Sequence, residues 1–185
     1  FQNRSLFEKL LFNAYIIRDN KEWWRFFTHA FIHADWVHLI VNMYSFFLFG
    51  VIVEKTFYAV FGLEMGMLFY ILLYTGGMVL SSYPSFEKHK NNSGYNAVGA
   101  SGAVSAVVFS SILVYPQMTL SLLFLPIPMP GWVFGILYLA YSWYMGRKGA
   151  DNIGHDAHFW GAIFGVVFTV VIHPAFVTSF LILTG

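Results

Sequence analysis

The sequence predicts an all-α protein, a polytopic bundle of transmembrane helices, and three observations carry that expectation. Of 185 residues, 58% are hydrophobic and only 10% charged, against roughly 25% charged in ordinary soluble domains. The apolar residues gather into five long runs bounded by polar or Pro/Gly punctuation, at about 36–53, 58–82, 97–115, 131–146 and 157–180. Aromatic residues make up 21% of the chain, which suits a lipid-facing surface with aromatic belts at both interfaces. The mean hydropathy of +0.63 agrees.

The expected organisation is one membrane domain over residues 1–185, with 1–35 an interfacial loop region and 36–183 the transmembrane core. Residues 5–34 mix Leu6, Phe7, Leu10, Leu11, Phe12, Tyr15, Ile16 and Ile17 with Lys9, Arg18, Lys21 and Arg25. The apolar stretch is too short to span, so short helices lying on the membrane surface are predicted. Segment 84–96, with Glu87, Lys88, Lys90, Asn91, Asn92 and Gly94, reads as a solvated loop. Pro116, Pro126, Pro128 and Pro130 forbid a regular helix over 116–130 and predict a stiff connection near the interface. The fourth run is short for a bilayer about 30 Å thick, and the pattern does not mark its start. No signal-peptide pattern occurs over 1–18, and the chain opens at Phe1 without a methionine, so further sequence is expected upstream. Without cysteine there is no disulfide frame, thiolate metal site or cysteine nucleophile. A net charge of +1 with scattered basic residues gives no nucleic-acid footprint.

Consecutive spans alternate in direction, so the first, third and fifth begin on one side of the bilayer. That parity brings three polar cassettes to a similar shallow depth: His38 and Asn42, then Gly99-Ala100-Ser101-Gly102, then Ala157-His158. Polar groups in hydrocarbon cost several kcal/mol, roughly, unless partnered or used. Ser101 heads a helix whose unpaired N–H groups and positive dipole end suit an oxyanion. His158 titrates in the range of a base that could take the serine proton. Gly161 and Gly165 provide the Gly-x-x-x-Gly spacing that lets another helix approach. His38 and Asn42, four apart, share one helix face and can both donate to a tetrahedral intermediate.

Each cassette alone has a plain structural explanation: a small-residue packing face around Ser101, a hydrated interfacial histidine at 158, a polar inter-helix pair at 38 and 42. The three together at matched depth favour chemistry. Asp156 lies about 200° from His158 around a helix, so a Ser-His dyad is expected rather than a triad. Asp151, a loop carbonyl or His155 remain possible helpers. His29 and His33, with Asp35, His38 and His155, form a weaker metal-ligand pattern that lacks His-Glu-x-x-His. Glu54 and Glu64 near span ends read as structural, with Glu54 paired to Lys55, an arginine or backbone.

The ordered set Trp24-Arg25, His33, His38-x-x-x-Asn42, Gly50-x-x-x-Glu54, Gly99-Ala100-Ser101-Gly102 and Ala157-His158-x-x-Gly161-x-x-x-Gly165 resembles the rhomboid family of intramembrane serine proteases. The resemblance runs along nearly the whole chain. It implies a rhomboid-like helical bundle with Ser101 as nucleophile and His158 as general base. His38, Asn42 and the Ser101 backbone N–H would be oxyanion donors, Trp24 and Arg25 structural parts of a membrane-embedded loop, and the fourth span a lateral gate. The family core has six spans, so a sixth, N-terminal one is expected before Phe1, the alternative being that this protein does without it. The second departure is Ser105, where many relatives carry an aromatic that stacks on the base; Phe109 or Trp160 are the candidates to replace it.

The functional expectation is therefore a serine-type endopeptidase that cleaves transmembrane segments of other membrane proteins through an acyl-enzyme. It needs the lipid bilayer and protein substrates as partners and no cofactor. The competing expectation is an inactive rhomboid-like protein that binds client helices, and a histidine metal or haem carrier is a more distant one. The resemblance implies a bacterial inner-membrane, multi-pass protein whose site opens away from the cytoplasm. Nine basic residues (Arg4, Lys9, Arg18, Lys21, Arg25, Lys88, Lys90, Arg147, Lys148) on the site's side, against Lys55 alone on the other, argue the reverse orientation.

Overall fold

The computed structural model describes residues 3–122, 125–149 and 153–184. Three short helices come first: α1 (Arg4–Leu10), α2 (Ala14–Asn20) and α3 (Arg25–Thr28), followed by a 3-10 turn over His29–Phe31. Asparagine side chains cap the first two, Asn3 accepting from the Leu6 amide and Asn13 from the Ile16 amide. Asn13 also donates to the Ser93 carbonyl and to Asn96. Paired 2.9 Å backbone bonds between Phe12 and Ala97 complete this clasp of the leading segment onto the connection before the central helix. Phe12, Ala14, Ile17, Phe26 and Phe86 form the apolar cluster beneath it.

Five longer helices follow: α4 (Trp36–Phe61), α5 (Leu63–His89), α6 (Ser101–Val114), α7 (Gly131–Lys148) and α8 (His155–Ile172), with a terminal α9 (Ala175–Thr184). Asp35 caps α4 by accepting from the His38 amide at 2.7 Å. Val53, Phe57, Leu73, Ala106, Val107, Leu113 and Phe176 form the inner core, drawn from α4, α5, α6 and α9. Helix α6 sits at its centre, with 11 of its 14 residues buried.

Several expected boundaries are corrected. The first span does not stop at 53, because the Glu54 carboxylate is satisfied within the helix by the Tyr58 hydroxyl at 2.9 Å and α4 continues to Phe61. Lys55 is not its partner. The solvated loop expected at 84–96 is helical up to His89, with Pro84 inside α5. The proline-rich connection is a β-hairpin, β1 (Thr119–Leu122) against β2 (Leu125–Pro130), antiparallel with Thr119 opposite Pro130 and Leu120 opposite Met129. The fifth span is broken: α8 ends at Ile172 and α9 starts at Ala175, because Pro174 cannot continue the hydrogen-bond ladder.

Among the described residues three helices, α4, α5 and α8, are long and apolar enough to cross a membrane. Helix α6, at 14 residues, is about 21 Å long, short of a bilayer core. It is enclosed by protein and need not match the lipid. The exposed faces of α4 and α5 carry Phe47, Ile40, Val37, Ile71 and Leu68, the surface expected of helices facing hydrocarbon. The chain is thus a helical membrane protein.

Candidate active site

The heads of α4, α6 and α8 meet. Gly99 precedes α6 with φ 103, a conformation that L side chains rarely adopt. A β-carbon there would also lie 2.6 Å from Cε1 and 2.7 Å from Nε2 of His38, so only glycine lets that ring rest on the approach to Ser101. The Ala34 N–H donates to His38 Nδ1 over a long 3.4 Å, which leaves the proton of a neutral ring on Nε2, the nitrogen beside Gly99. One turn on, Asn42 is buried and donates one amide hydrogen to the His38 carbonyl at 2.9 Å. Its amide has a second hydrogen to offer.

Ala100 precedes Ser101, and no side chain caps the first turn of α6. The leading amides of this helix therefore keep the donor capacity that an anion could use. Gly99 is clamped from below by His29: the Gly99 N–H donates to the His29 carbonyl at 2.8 Å, and His29 Nδ1 lies 3.1 Å from the Gly99 carbonyl. His29 Nε2 is 3.3 Å from the Ser82 hydroxyl. Burial pushes the His29 pKa down to about 4, so its ring is neutral near pH 7. His33 stands edge-on to the His38 ring at 5.0 Å. Burial, and then the neighbouring His38, lower its pKa as well. The ring nitrogens of His29 thus serve the chain itself, which is a different use from the metal pairing considered for residues 29 and 33.

Helices α6 and α8 touch through backbone. A β-carbon at Gly161 would collide with the Gly102 carbonyl, and one at Gly165 with the Ala106 carbonyl. At the top of this seam a β-carbon on Gly102 would lie 3.3 Å from the Ala157 carbonyl oxygen. The immediate neighbours of Ser101 and His158 are therefore in contact, and Gly161, three residues on, shares the inward side of α8 with His158.

The His158 ring stacks on Tyr138 of α7, with centroids 6.3 Å apart and planes at 26°. The Tyr138 hydroxyl pairs with Ser105 Oγ at 3.0 Å. Ser105 is one turn from Ser101, a spacing that puts the two on one face of α6. The aromatic stacked on the His158 ring is neither Phe109 nor Trp160. Phe109 instead packs on Tyr138 at 5.6 Å, and Trp160 turns outward against Phe159. The spacing of one sequence cannot reveal a contact between residues 138 and 158, and no motif marks it.

The remaining motif residues are structural in their contacts. Arg25 is buried, donating to Glu22 at 2.6 Å and to the carbonyls of Glu8 and Leu11 at 3.1 and 2.7 Å, which ties down the end of α1. Trp24 is half exposed at the start of α3. Gly50 makes room for the Tyr70 hydroxyl. Asp156 accepts from Lys88 at 2.7 Å, an ion pair joining the head of α8 to the tail of α5. Asp151 lies outside the described residues. The His155 ring stands edge-on to His158 at 6.0 Å.

Comparison with known proteins agrees with this architecture. RHOMBOID-like protein 12, mitochondrial, of Arabidopsis thaliana is 30% identical over 142 residues, 73% of this chain and 42% of that protein. Rhomboid-like protein 11, chloroplastic, from the same plant is 29% identical over 170 residues, 84% of this chain and 54% of that protein. A Bacillus subtilis (strain 168) protein named "Putative rhomboid protease YdcA" is 32% identical over 85 residues, 46% of this chain and 38% of that protein. The chain thus spans about half, or less, of these relatives' lengths. Residues 20–175 match the family model described as Rhomboid domain, a stretch that takes in every cassette from Trp24 to Gly165. On that match, which covers most of its length, the chain belongs to the rhomboid family.

Proposed function

We propose that this protein is an intramembrane serine endopeptidase that hydrolyses peptide bonds in or next to the transmembrane helices of other proteins. The observation that carries the reading is the seam between α6 and α8, which brings Gly102 and Ala157, the neighbours of Ser101 and His158, close together, while the His38 ring rests against Gly99. His158 takes the Ser101 hydroxyl proton as Oγ attacks the substrate carbonyl. The resulting oxyanion is held by His38 Nε2–H, Asn42 Nδ2–H and the Ser101 backbone N–H. The C–N bond then breaks as His158 returns the proton to the leaving amine, and water, activated by the same base, releases the acyl group. Each well-aimed oxyanion donor is worth roughly 3–4 kcal/mol in such reactions.

A helix with every backbone bond satisfied is a poor substrate, so the scissile segment must unwind. Substrates with helix-weakening residues and small side chains at the cut are expected. The name of the Bacillus relative supports proteolysis, while the two plant names state only the family likeness. Two of these relatives are named for plant organelles, so the proposal is confined to a multi-pass membrane protein, with the site opening away from the cytoplasm. Replacing Ser101 with alanine, in protein whose thermal unfolding is unchanged, should abolish cleavage of a transmembrane reporter in liposomes. Undiminished cleavage would remove the nucleophile assignment and favour the binding of client helices without hydrolysis.

A further inference from the structure

The stacking partner of His158 comes from a helix that meets α6 through side chains rather than backbone. Of the 18 residues of α7 only Gly131, Gly135 and Ser142 are buried. Its outward face carries Ile136, Leu137, Tyr141 and Tyr144. Against α6 a β-carbon at Gly135 would lie 3.4 Å from Phe109 and 3.6 Å from Ile112, ordinary side-chain contact, while the firmer ties of α7 lie outside α6: the Gly131 N–H donates to the Met118 carbonyl at 2.8 Å, and Gly146 abuts the Asp156 carboxylate of α8. Helix α8, by contrast, is keyed into the α6 backbone at Gly161 and Gly165.

Between these elements Tyr138 makes two directed contacts. Its ring underlies His158, and its hydroxyl is bonded to Ser105, one turn from Ser101. Phe109 and Phe134, at 5.6 and 5.9 Å, flank the ring and restrict its rotation. A stacked aromatic limits the swing of an imidazole about its side-chain torsions, and a misplacement of the order of 1 Å can cost about 100-fold in rate.

We propose that Tyr138 is the positioning residue for His158, and that the Tyr138–Ser105 bond makes the alignment of the base conditional on α7 being docked against α6. The inference rests on the protease reading and deepens it. When α7 moves away, the aromatic shelf leaves with it, and His158 loses its fixed orientation toward Ser101. When α7 returns, one hydrogen bond registers the ring against the helix that carries the nucleophile.

Steady-state cleavage of a transmembrane reporter by the full chain in liposomes, with kcat and KM measured separately, tests this. Tyr138→Ala should lower kcat about tenfold or more with KM within about twofold, since the ring acts on the base rather than on substrate binding. Tyr138→Phe and Ser105→Ala each delete one end of the same bond and should each cost about threefold in kcat. The double variant should be no worse than either single one. Gly135→Leu, which wedges α7 away from Phe109 and Ile112, should reproduce the kcat loss, and adding Tyr138→Ala should not deepen it.

Unchanged kcat in Tyr138→Ala, a loss confined to KM, or multiplying effects of Tyr138→Phe and Ser105→Ala would overturn the proposal. Full kcat in Gly135→Leu would overturn its conditional part. If Tyr138→Ala does not fold, the two single-hydroxyl deletions decide the matter alone. These failures leave cleavage by the parent chain and its loss in Ser101→Ala intact, whereas a parent chain without Ser101-dependent cleavage removes the protease reading and this inference together.

Discussion

Helix α8 meets α6 backbone to backbone, whereas α7 meets it through an aromatic ring and a pair of hydroxyls. In the first seam the Gly161 position faces the Gly102 carbonyl with no room for a methyl group; in the second, a β-carbon at Gly135 would sit 3.4 Å from Phe109 Cε1, an ordinary contact. Backbone contact fixes two helix heads with few degrees of freedom, because carbonyls cannot rotate away as side chains do. Side-chain contact across a gap can be broken and remade. The seam between the helices that carry Ser101 and His158 is the backbone one, and the seam beside the His158 ring is made of side chains.

The same substitution in the two seams should therefore give opposite results, and this is the largest effect expected. Gly161→Ala forces α8 away from α6 and should cost about 1–3 kcal/mol, with reporter cleavage lost in proportion to the displaced base. Gly135→Ala should be neutral or slightly stabilising, since the helix gains from losing a glycine and the methyl group finds space. Thermal unfolding in detergent distinguishes them, and equal losses would erase the contrast between the seams.

The clamp beneath the backbone seam should respond to acid. Burial holds the His29 pKa at about 4, below its ordinary value, so the unfolded chain binds a proton that the folded chain refuses between about pH 6.5 and 4. Stability should thus be fully present above pH 6.5 and fall as the pH drops, by at most about 1.4 kcal/mol per unit. His29→Gln should flatten that slope in a series of unfolding curves, and an identical slope in the variant would show that another group is responsible.

The smallest effect should come from the ion pair at the head of α8. The Lys88 and Asp156 side chains are 53% and 34% exposed, so their bridge contributes about 0–1 kcal/mol. Asp156→Asn should leave the rate of Ser101 acylation within about twofold. A carboxylate that orients the base of a triad is worth about 10⁴-fold, so a loss of that size would turn the proposed dyad into a triad.

What the sequence made legible was local: the cassettes at 38–42, 99–102 and 157–165 lie at or near helix heads, and the small residues in them mark close approach, Gly161 against the Gly102 carbonyl and Gly99 against the His38 ring. What escaped is what tertiary context decides. Pro84 reads as a break, yet α5 carries it to His89. Pro174 was read through, yet it ends α8, because the apolar pattern on its two sides does not change. The paired strands at 119–130 hide behind prolines that do exclude a helix but tolerate an edge ladder. Tyr138 lies 33 residues from Ser105 and on another helix, so no periodicity connects them. His29 looked like half of a metal pair because spacing shows which side chains share a face and says nothing of the carbonyl or hydroxyl that will meet them.

The most direct measurement is covalent labelling of the purified protein in detergent with a fluorophosphonate, located by peptide mass and followed as a rate. The account predicts one modified residue, Ser101, with no labelling in Ser101→Ala and a rate lowered about 100-fold or more in His158→Ala, since the hydroxyl then has no base. Labelling that persists in Ser101→Ala, or that proceeds equally fast without His158, would contradict the claim that the α6–α8 seam assembles a nucleophile and its base.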